Sequence, residues 1–458
     1  MSSVLADRSN PPPPGELKPF VFPPIERLTL SNGLPVWFCR TEGLPVTTLT
    51  LLLPGGGLRE SPARAGVATL TGALLESGAG EMEAPEISEK LERLGVHLQV
   101  GTAWEVSHLK FTALSPMVGP ALDLAGTLVQ TPSFPEAEVD RLRNQQVAGI
   151  LQRRAEPRGF ANELVSRFLF AEDSPFSRPL GGLSESVSAL TRDDVQNYHD
   201  AFYSPSGAGI VVAGNIEPGR ILEQVERVFG QWQGEALPVL DVPVRPRSDG
   251  VQVVVIDRPG AVQSEIRIGH IGVPRNTPDY FPITVMNTIL GGAFSSRLNL
   301  NLREKHGFTY GVRSSFVMRR RPGPFLVSTA VQTEVTGRAV QEILAEIGGM
   351  RDSEVRSEEL SDARQYVAGT FPLPLQTTEG IAARLSELFI YDLPDSYLEE
   401  FAERTIAVEA EDVLRVARQY LHPDCATILV LGDAAAVTKQ LASIGLGDVD
   451  VIPQDRIP

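Results

Sequence analysis

The chain alternates short apolar runs, typical of strands, with longer segments whose apolar residues recur at helical spacing. Two alternating runs between residues 27 and 38 meet at Asn32-Gly33, a turn dipeptide that predicts a β-hairpin. Further helices are predicted at 63–76, 85–94, 117–130, 136–154 and 160–170. A capped helix ending at Phe202 and a buried strand at 209–214 close this half of the chain.

A constant offset of 218 residues, 194 to 412, aligns the end of this half with the end of the second half. Asp194-Val195 falls on Asp412-Val413, and Gly214 falls on Gly432, without a gap. A match of cap, helix and strand at one offset indicates an internal repeat. The sequence therefore predicts an α+β fold of two homologous domains, each a mostly antiparallel sheet covered by helices.

The apolar rhythm stops between residues 234 and 250, where prolines and charged residues replace it. The predicted organisation is an N-terminal arm (1–20), a first domain (21–233), a linker (234–250), a second domain (251–442) and a tail (443–458). The arm contains four consecutive prolines and no apolar core of a secretion signal, which favours a cytoplasmic location.

The second domain contains the stretch on which the functional argument depends. Gly291 and Gly292 follow an apolar run, so a buried helix is predicted to end there. An amphipathic helix should follow, with Leu298, Leu300 and Leu302 on its apolar side, Arg303 near its end and Gly307 as a left-handed stop residue. Alternation from Phe308 predicts a strand, with Tyr310 near its start. Arg303 and Tyr310 would thus flank one helix-to-strand corner.

Composition narrows the possible partners. Hydrophobic residues make up 42% of the chain, and no uninterrupted apolar run approaches the ~18 residues of a membrane span. The formal net charge of -16 disfavours nucleic acid and anionic membranes, whereas basic peptides remain compatible. Cys39 and Cys425 lie in opposite halves and are interpreted as core residues.

The run from Gly291 to Leu298, followed by Leu302-Arg-Glu-Lys-His-Gly-Phe-Thr-Tyr310, resembles the pitrilysin and insulinase peptidases, which include the mitochondrial processing peptidase subunits. The resemblance extends over residues 24–441 and implies that the two domains form half of a clam-shell. In that family a helix of the first domain carries His-x-x-Glu-His, whose histidines bind zinc and whose glutamate activates the bound water, and a later helix adds a carboxylate.

This sequence lacks the family's zinc-binding residues. Thr69 and Ala73 stand in place of the two histidines, and Gly72 stands in place of the glutamate. The third ligand should fall near Gly149, and residues 141–155 contain no Asp or Glu. No two of the six histidines are separated by a helical or short-loop ligand spacing. The chain is therefore expected to hold neither zinc nor another cofactor.

Family members also use an arginine and a tyrosine from the later half of the molecule, which by resemblance are Arg303 and Tyr310. An arginine suits a substrate carbonyl or carboxylate, and a phenol can donate to the oxyanion of a tetrahedral intermediate. The expected function is that of the zinc-free subunit of a heterodimeric peptidase, which supplies both residues in trans to a zinc-bearing paralogous subunit acting on peptides. Self-association is left open.

Two alternative functions remain: an inactive peptide-binding or assembly scaffold, and a self-sufficient hydrolase with an unrecognised site.

Gly101, Thr102 and Ala103 fall where the family presents an edge strand to an extended peptide. Gly291 and Gly292 are interpreted either as a helix terminator or as substrate contacts. Trp104 and Glu105 are predicted to be ordinary turn residues, and 319–321 a solvated hairpin turn.

Overall fold

The computed structural model describes Gly15 and residues 21–457, so the predicted arm lies outside the described residues apart from Gly15. The strands are Ile25–Thr29 (β1), Pro35–Arg40 (β2), Val46–Leu53 (β3), Gly78–Ala79 (β4), Met82–Glu83 (β5), His97–Thr102 (β6), Ser107–Leu114 (β7), Gly209–Gly214 (β8), Gln252–Asp257 (β9), Gln263–Ile271 (β10), Val312–Phe316 (β11), Pro324–Gln332 (β12), Thr427–Gly432 (β13) and Val449–Pro453 (β14). The α-helices are Val67–Leu74 (α1), Ala84–Leu94 (α2), Val118–Gln130 (α3), Glu136–Ala155 (α4), Pro157–Leu169 (α5), Ser184–Ser188 (α6), Arg192–Phe202 (α7), Pro218–Phe229 (α8), Tyr280–Asn287 (α9), Arg297–Asn299 (α10), Thr336–Asp352 (α11), Ser357–Thr370 (α12), Thr378–Tyr391 (α13), Ser396–Glu399 (α14), Phe401–Ile406 (α15), Ala410–Tyr420 (α16) and Ala434–Ala442 (α17).

Two six-stranded sheets dominate the structure, in the orders β1-β2-β8-β3-β7-β6 and β11-β12-β10-β13-β9-β14. The second order is the first read backwards: β9, β13, β10, β12 and β11 take the places of β2, β8, β3, β7 and β6. The helix and strand that close each half, α7 with β8 and α16 with β13, recur at the predicted offset. The predicted α+β fold with two homologous units, each a largely antiparallel sheet covered by helices, is confirmed.

The two sheets differ at one outer edge. In the first sheet β1 pairs with β2 antiparallel as part of a hairpin, whereas in the second sheet β14 pairs with β9 in parallel. The prediction of a tail at 443–458 is therefore wrong for Val449–Pro453. The run is short and none of its five residues is fully buried, so its pattern lacked the buried alternation that identifies a strand.

Each half lends a helix to the sheet of the other half. Helix α13 packs on β8 and β3 of the first sheet, where Phe389 meets Trp37 edge-on at 5.5 Å between ring centroids. A Cβ on Gly209 of β8 would lie 2.3 Å from the Phe389 ring, so this crossing requires glycine. Helix α5 packs in return on β10 and β13 of the second sheet. The reciprocal packing joins the two units through shared apolar cores.

Arg267 of β10 lies at the centre of the α5 contact and is only 1% exposed. Its Nε donates to Asn162 Oδ1 at 2.8 Å and its Nη2 to the Arg158 carbonyl at 3.2 Å, both on α5. Its Nη1 donates to the Thr329 carbonyl and lies 3.0 Å from the carboxylate of Glu265. Burial lowers the pKa of Arg267, and the neighbouring Glu265 opposes that shift. This buried guanidinium joins helix α5 to the second sheet.

The prediction of a solvated hairpin turn at 319–321 is wrong for Arg319, whereas Arg320 and Arg321 are exposed in the connection between β11 and β12. The Arg319 guanidinium lies 4.7 Å from the ring centroid of Phe176 and 5.3 Å from that of Trp104, both in the first half. The backbone N–H of Arg320 donates to Glu105 Oε1 at 3.1 Å. Trp104 and Glu105 are therefore contact residues between the halves and not only turn residues. The cation run followed by a proline did not indicate that its aromatic partners lie in the first half of the chain.

Among helices of the described residues, none combines the length and the apolarity needed to cross a bilayer.

Candidate functional site

Gly291 and Gly292, at the start of the stretch from Gly291 to Tyr310, end a helix, as predicted. Helix α9 continues through a π-helical segment, Thr288–Gly292, and ends there. A Cβ on Gly291 would lie 2.5 Å from Ser314 Oγ and 2.6 Å from the Ser314 nitrogen on β11. Gly291 is therefore needed for close contact between the helix end and the strand. Gly292 lines a cavity of about 500 Å³ between α9 and β11. A substrate contact at either glycine stays a prediction.

The amphipathic helix that follows begins as α10 and widens into a π-helical segment, Leu300–Lys305. Leu298 and Leu302 are fully buried, whereas Leu300 is 47% exposed, so only two of the three predicted leucines enter the core. Gly307 has φ of 63° and stops the helix in the left-handed conformation, as predicted.

Tyr310 lies in the turn before the strand, because β11 begins at Val312 and not at Phe308. Asn299 sets this boundary. Its Nδ2 donates to the Val312 carbonyl at 2.9 Å, and its Oδ1 accepts from the Val312 N–H at 3.1 Å, as a neighbouring strand would do. Asn299 is 5% exposed, while Tyr310 is 95% exposed. The chain thus fixes the backbone of the corner and leaves the phenol in the open.

Arg303 is held by a neighbouring aromatic ring. Its guanidinium carbon lies 4.4 Å from the ring centroid of Phe294, which is itself 69% exposed, and its Nε lies 3.4 Å from Glu304 Oε1. Cation–π contact of this kind orients the planar guanidinium at the surface. Among the hydrogen bonds of the described residues, none joins Arg303 to Tyr310.

Arg297, from the same motif, has a different role. Its Nε and Nη2 each donate to the Glu359 carboxylate of α12 at 3.0 Å. Arg297, together with Arg356, holds the pKa of Glu359 at about 2 despite partial burial. This bidentate pair fixes the loop before Arg303 to helix α12.

Asn299→Ala is expected to release the Val312 backbone and lower the free energy of unfolding by about 1–3 kcal/mol, because two buried backbone groups lose their partner. Hydrogen exchange should show faster exchange of the Val312 amide. Asn144→Ala, a change on the exposed face of α4, is the control and should be neutral. Unchanged Val312 protection would show that Asn299 does not set the corner.

The positions of the missing zinc motif lie on α1 and α4. Thr69 is half-buried, Gly72 is buried and Ala73 is exposed on α1, while Gly149 is half-buried on α4. A Cβ on Gly149 would meet Arg153 Nη1 at 3.5 Å, so a guanidinium lies where the family places a carboxylate ligand. Within the part of the chain that the structure describes, no cluster of three His, Cys, Asp or Glu side chains could hold a metal ion.

Helix α1 begins at a buried carboxylate. Glu60 Oε1 accepts from the Gly66 and Ala68 amides at 3.1 and 2.8 Å. Burial raises the pKa of Glu60 to about 7, and these two amides together with Arg178 oppose that shift. No sequence motif predicted this cap, because Glu60 lies six positions before Gly66, the helix N-cap.

Strand β6 is an edge of the first sheet, as the family resemblance implied for Gly101 to Ala103. The Ala103 N–H donates to the Val106 carbonyl at 2.8 Å and the Ala103 carbonyl accepts from the Gly57 N–H at 3.0 Å, so both backbone groups of Ala103 are used. The alternation of antiparallel pairing turns the backbone of Gly101 toward β7 and that of Thr102 outward. Of the three predicted residues, only Thr102 therefore offers backbone groups to an added strand. Gly101 has a packing role, since a Cβ there would lie 2.4 Å from the His108 ring.

The equivalent edge in the second sheet, β11, is covered. Asn299 binds both outward backbone groups of Val312, and Asn287 Nδ2 donates to the Ser314 carbonyl at 3.1 Å. Gly291 lies against the Ser314 nitrogen. The two related edges therefore differ. The side chains of Asn287 and Asn299 bind the outward backbone groups of β11, whereas β6 keeps outward-facing backbone groups at Thr102.

Two family models match the chain. The one described as "Insulinase (Peptidase family M16)" matches residues 40–175, and the one described as "Peptidase M16 inactive domain" matches residues 189–367. Together they cover more than half of the chain.

Relatives match over most of their length. The chain is 24% identical over 410 residues to the "uncharacterized zinc protease YmxG" of Bacillus subtilis, covering 89% of this chain and 98% of the relative. It is 24% identical over 420 residues to a "probable mitochondrial-processing peptidase subunit beta" of Arabidopsis thaliana, covering 88% and 77%. It is also 24% identical over 366 residues to the "non-peptidase homolog YmxG" of Helicobacter pylori, covering 78% and 82%.

A solved structure shares the whole fold. The crystal structure of a "peptidase M16 inactive domain" from Pseudomonas fluorescens superposes with a TM-score of 0.83 at 25% identity, covering 90% of this chain and 98% of that one. The chain therefore belongs to the M16, or insulinase, family of peptidases and their homologues.

Proposed function

We propose that this chain is the zinc-free subunit of a two-chain M16 peptidase and that it supplies Arg303 and Tyr310 to the active site of a zinc-bearing partner. The observation that carries the proposal is the corner itself. Asn299 and Gly307 fix its backbone, while the Tyr310 ring is 95% exposed. An exposed tyrosine on a rigid backbone suits a group that acts on another molecule.

The division of labour follows from the residues. The partner's zinc would supply a bound water that attacks the peptide carbonyl. Arg303 would bind a substrate carbonyl or carboxylate with its planar set of donors. The Tyr310 hydroxyl would donate to the oxygen on which negative charge develops. Thr69, Gly72, Ala73 and Gly149 offer no ligand set of their own, so the metal would come from the partner.

Substrate binding in this proposal uses an extended peptide. The outward backbone groups of Thr102 on edge strand β6 would pair with it. The relative named as a mitochondrial-processing peptidase subunit supports a subunit role, because its name describes one chain of an assembly. The paralogous partner would form the other half of a clam-shell. Pairing between two copies of this chain would yield no metal site.

The alternative function is an inactive scaffold that binds peptides or supports assembly. The description of the Helicobacter pylori relative as a non-peptidase homolog favours it. The two functions differ at Tyr310, since Tyr310→Phe should strongly lower cleavage by the pair only if the phenol takes part in catalysis.

The partner is found by purifying the tagged chain from its native cells and identifying co-purifying proteins by mass spectrometry. The proposal expects an M16 chain with intact His-x-x-Glu-His, and it expects zinc to follow that chain. Recovery of the chain alone, with bound zinc and peptidase activity, would contradict the proposal and favour the self-sufficient hydrolase.

A further inference from the structure

A groove of about 760 Å³ lies beside Arg303, between helix α12 and the segment that joins α9 to the next helix. Its apolar lining includes Ile289, Phe294 and Leu300. Phe294 is the ring on which the Arg303 guanidinium stacks, so the groove begins where the corner ends. Three of its lining side chains, Phe294, Leu300 and Tyr366, are 69%, 47% and 52% exposed, which is unusual for large apolar groups so close together.

The wall formed by α12 is acidic. Glu358, Asp362 and Tyr366 recur every fourth residue and so form one stripe of the helix, about 5–6 Å apart at their Cβ atoms. Neither Glu358 nor Asp362 forms an ion pair within 4 Å in the described part of the chain. Arg356, the cation of this wall, is already held by Glu359 at 3.2 Å.

The charges leave a negative excess. Arg297 and Arg356 both pair with Glu359, and together with Glu358 and Asp362 these side chains carry two positive and three negative charges, which leaves one negative charge in excess. An apolar floor with an acidic wall complements a segment that carries an apolar side chain next to a lysine or arginine.

We propose that this groove binds a basic, partly apolar segment of the peptide substrate, with a cationic side chain between Glu358 and Asp362 and an apolar side chain against Phe294 and Leu300. The inference rests on the proposed function, because the contact between Phe294 and Arg303 places the groove next to the residue that would hold the scissile region. The peptide is favoured over the partner subunit as occupant for the same reason.

The test measures binding of fluorescein-labelled peptides to the isolated chain by anisotropy at low salt. One peptide has two lysines flanking a leucine, and its matched peptide has glutamates in their place. The unmodified chain should bind the basic peptide more tightly. The double variant Glu358→Lys/Asp362→Lys should weaken that binding about tenfold and strengthen binding of the acidic peptide, since exposed ion pairs contribute about 0.2–1 kcal/mol each and are replaced by repulsions.

Two further variants separate groove binding from a general charge effect. Glu223→Lys, an exposed position on α8 of the first domain, makes the same kind of charge change and should leave both affinities unchanged. Leu300→Ser should weaken binding of both peptides about threefold, because part of the apolar floor is lost.

Equal binding of both peptides, or an equal effect of Glu223→Lys, would overturn the assignment. So would a double reversal that weakens association with the partner chain and leaves peptide affinity unchanged, since the groove would then be a subunit interface. Because the assay uses the isolated chain, its failure is distinguishable from a failure of Tyr310 to act in trans, which only cleavage by the pair reports.

Discussion

Tyr310→Phe is expected to lower kcat of the reconstituted two-chain peptidase by about 10²–10³-fold, the usual cost of removing one donor from an oxyanion site. The tyrosine is 95% exposed, so the change should leave the free energy of unfolding within about 0.5 kcal/mol of the unmodified chain. Steady-state cleavage of a quenched fluorescent peptide measures kcat, and denaturation with urea measures stability.

The control is Tyr420→Phe, a change at the C-terminal residue of α16. It removes a phenol hydroxyl that donates to Asp279 at 2.7 Å. It should retain full cleavage. If Tyr310→Phe retained full kcat as well, the tyrosine would be a surface residue without a role in the chemistry, and the scaffold function would be favoured.

Arg303→Lys is expected to lower cleavage by the reconstituted two-chain peptidase. Lysine keeps the positive charge but lacks the planar donors and the stacking face that hold the guanidinium 4.4 Å from the Phe294 ring centroid. A loss in cleavage with unchanged assembly would show that the planar donors of Arg303, and not its charge alone, take part in cleavage.

The second large effect concerns stability. Arg267→Ala is expected to lower the free energy of unfolding by about 3–5 kcal/mol, the cost of breaking a buried ion pair from one side. The change leaves Asn162 Oδ1, the Arg158 carbonyl and the Glu265 carboxylate without their buried donor. It also weakens the contact between α5 and the second sheet, on which the reciprocal packing depends.

Urea denaturation followed by circular dichroism measures this effect. Arg220→Ala, an exposed arginine of the first domain, is the matched control and should change stability by less than about 0.5 kcal/mol. A loss below about 1 kcal/mol for Arg267→Ala would mean that α5 is held by its apolar face alone.

The sequence predicted the features that depend on local pattern and on the internal repeat. The offset between α7 with β8 and α16 with β13 was correct to the residue, because both copies keep a capping aspartate, Asp194 or Asp412, and a buried strand. The left-handed stop at Gly307 was correct because few other residues adopt that conformation without strain.

The sequence pattern did not predict the long-range contacts. The exchange of α5 and α13 between the halves, and the contact of Arg319 with Trp104, join residues far apart in the chain and have no periodic pattern. Strand β14 was missed because none of its residues is fully buried and an edge strand needs only backbone partners.

At the candidate site, the motif located Arg303 and Tyr310 but not what holds them. No pattern in the sequence singled out Asn299, because its role as a substitute strand partner depends on where β11 begins. Phe294, the exposed ring beneath the guanidinium, was also not predicted to contact Arg303. The sequence pattern alone does not show whether an apolar side chain of a motif is exposed, as Phe294 is, or buried in the core.

The central claim is that this subunit provides transition-state contacts while its partner provides the metal. Zinc content and peptide cleavage should be measured side by side for this chain, for the M16 chain that co-purifies with it, and for the mixture. The account predicts zinc only in preparations that contain the partner and cleavage only in the mixture. Zinc and cleavage in the preparation of this chain alone would contradict it.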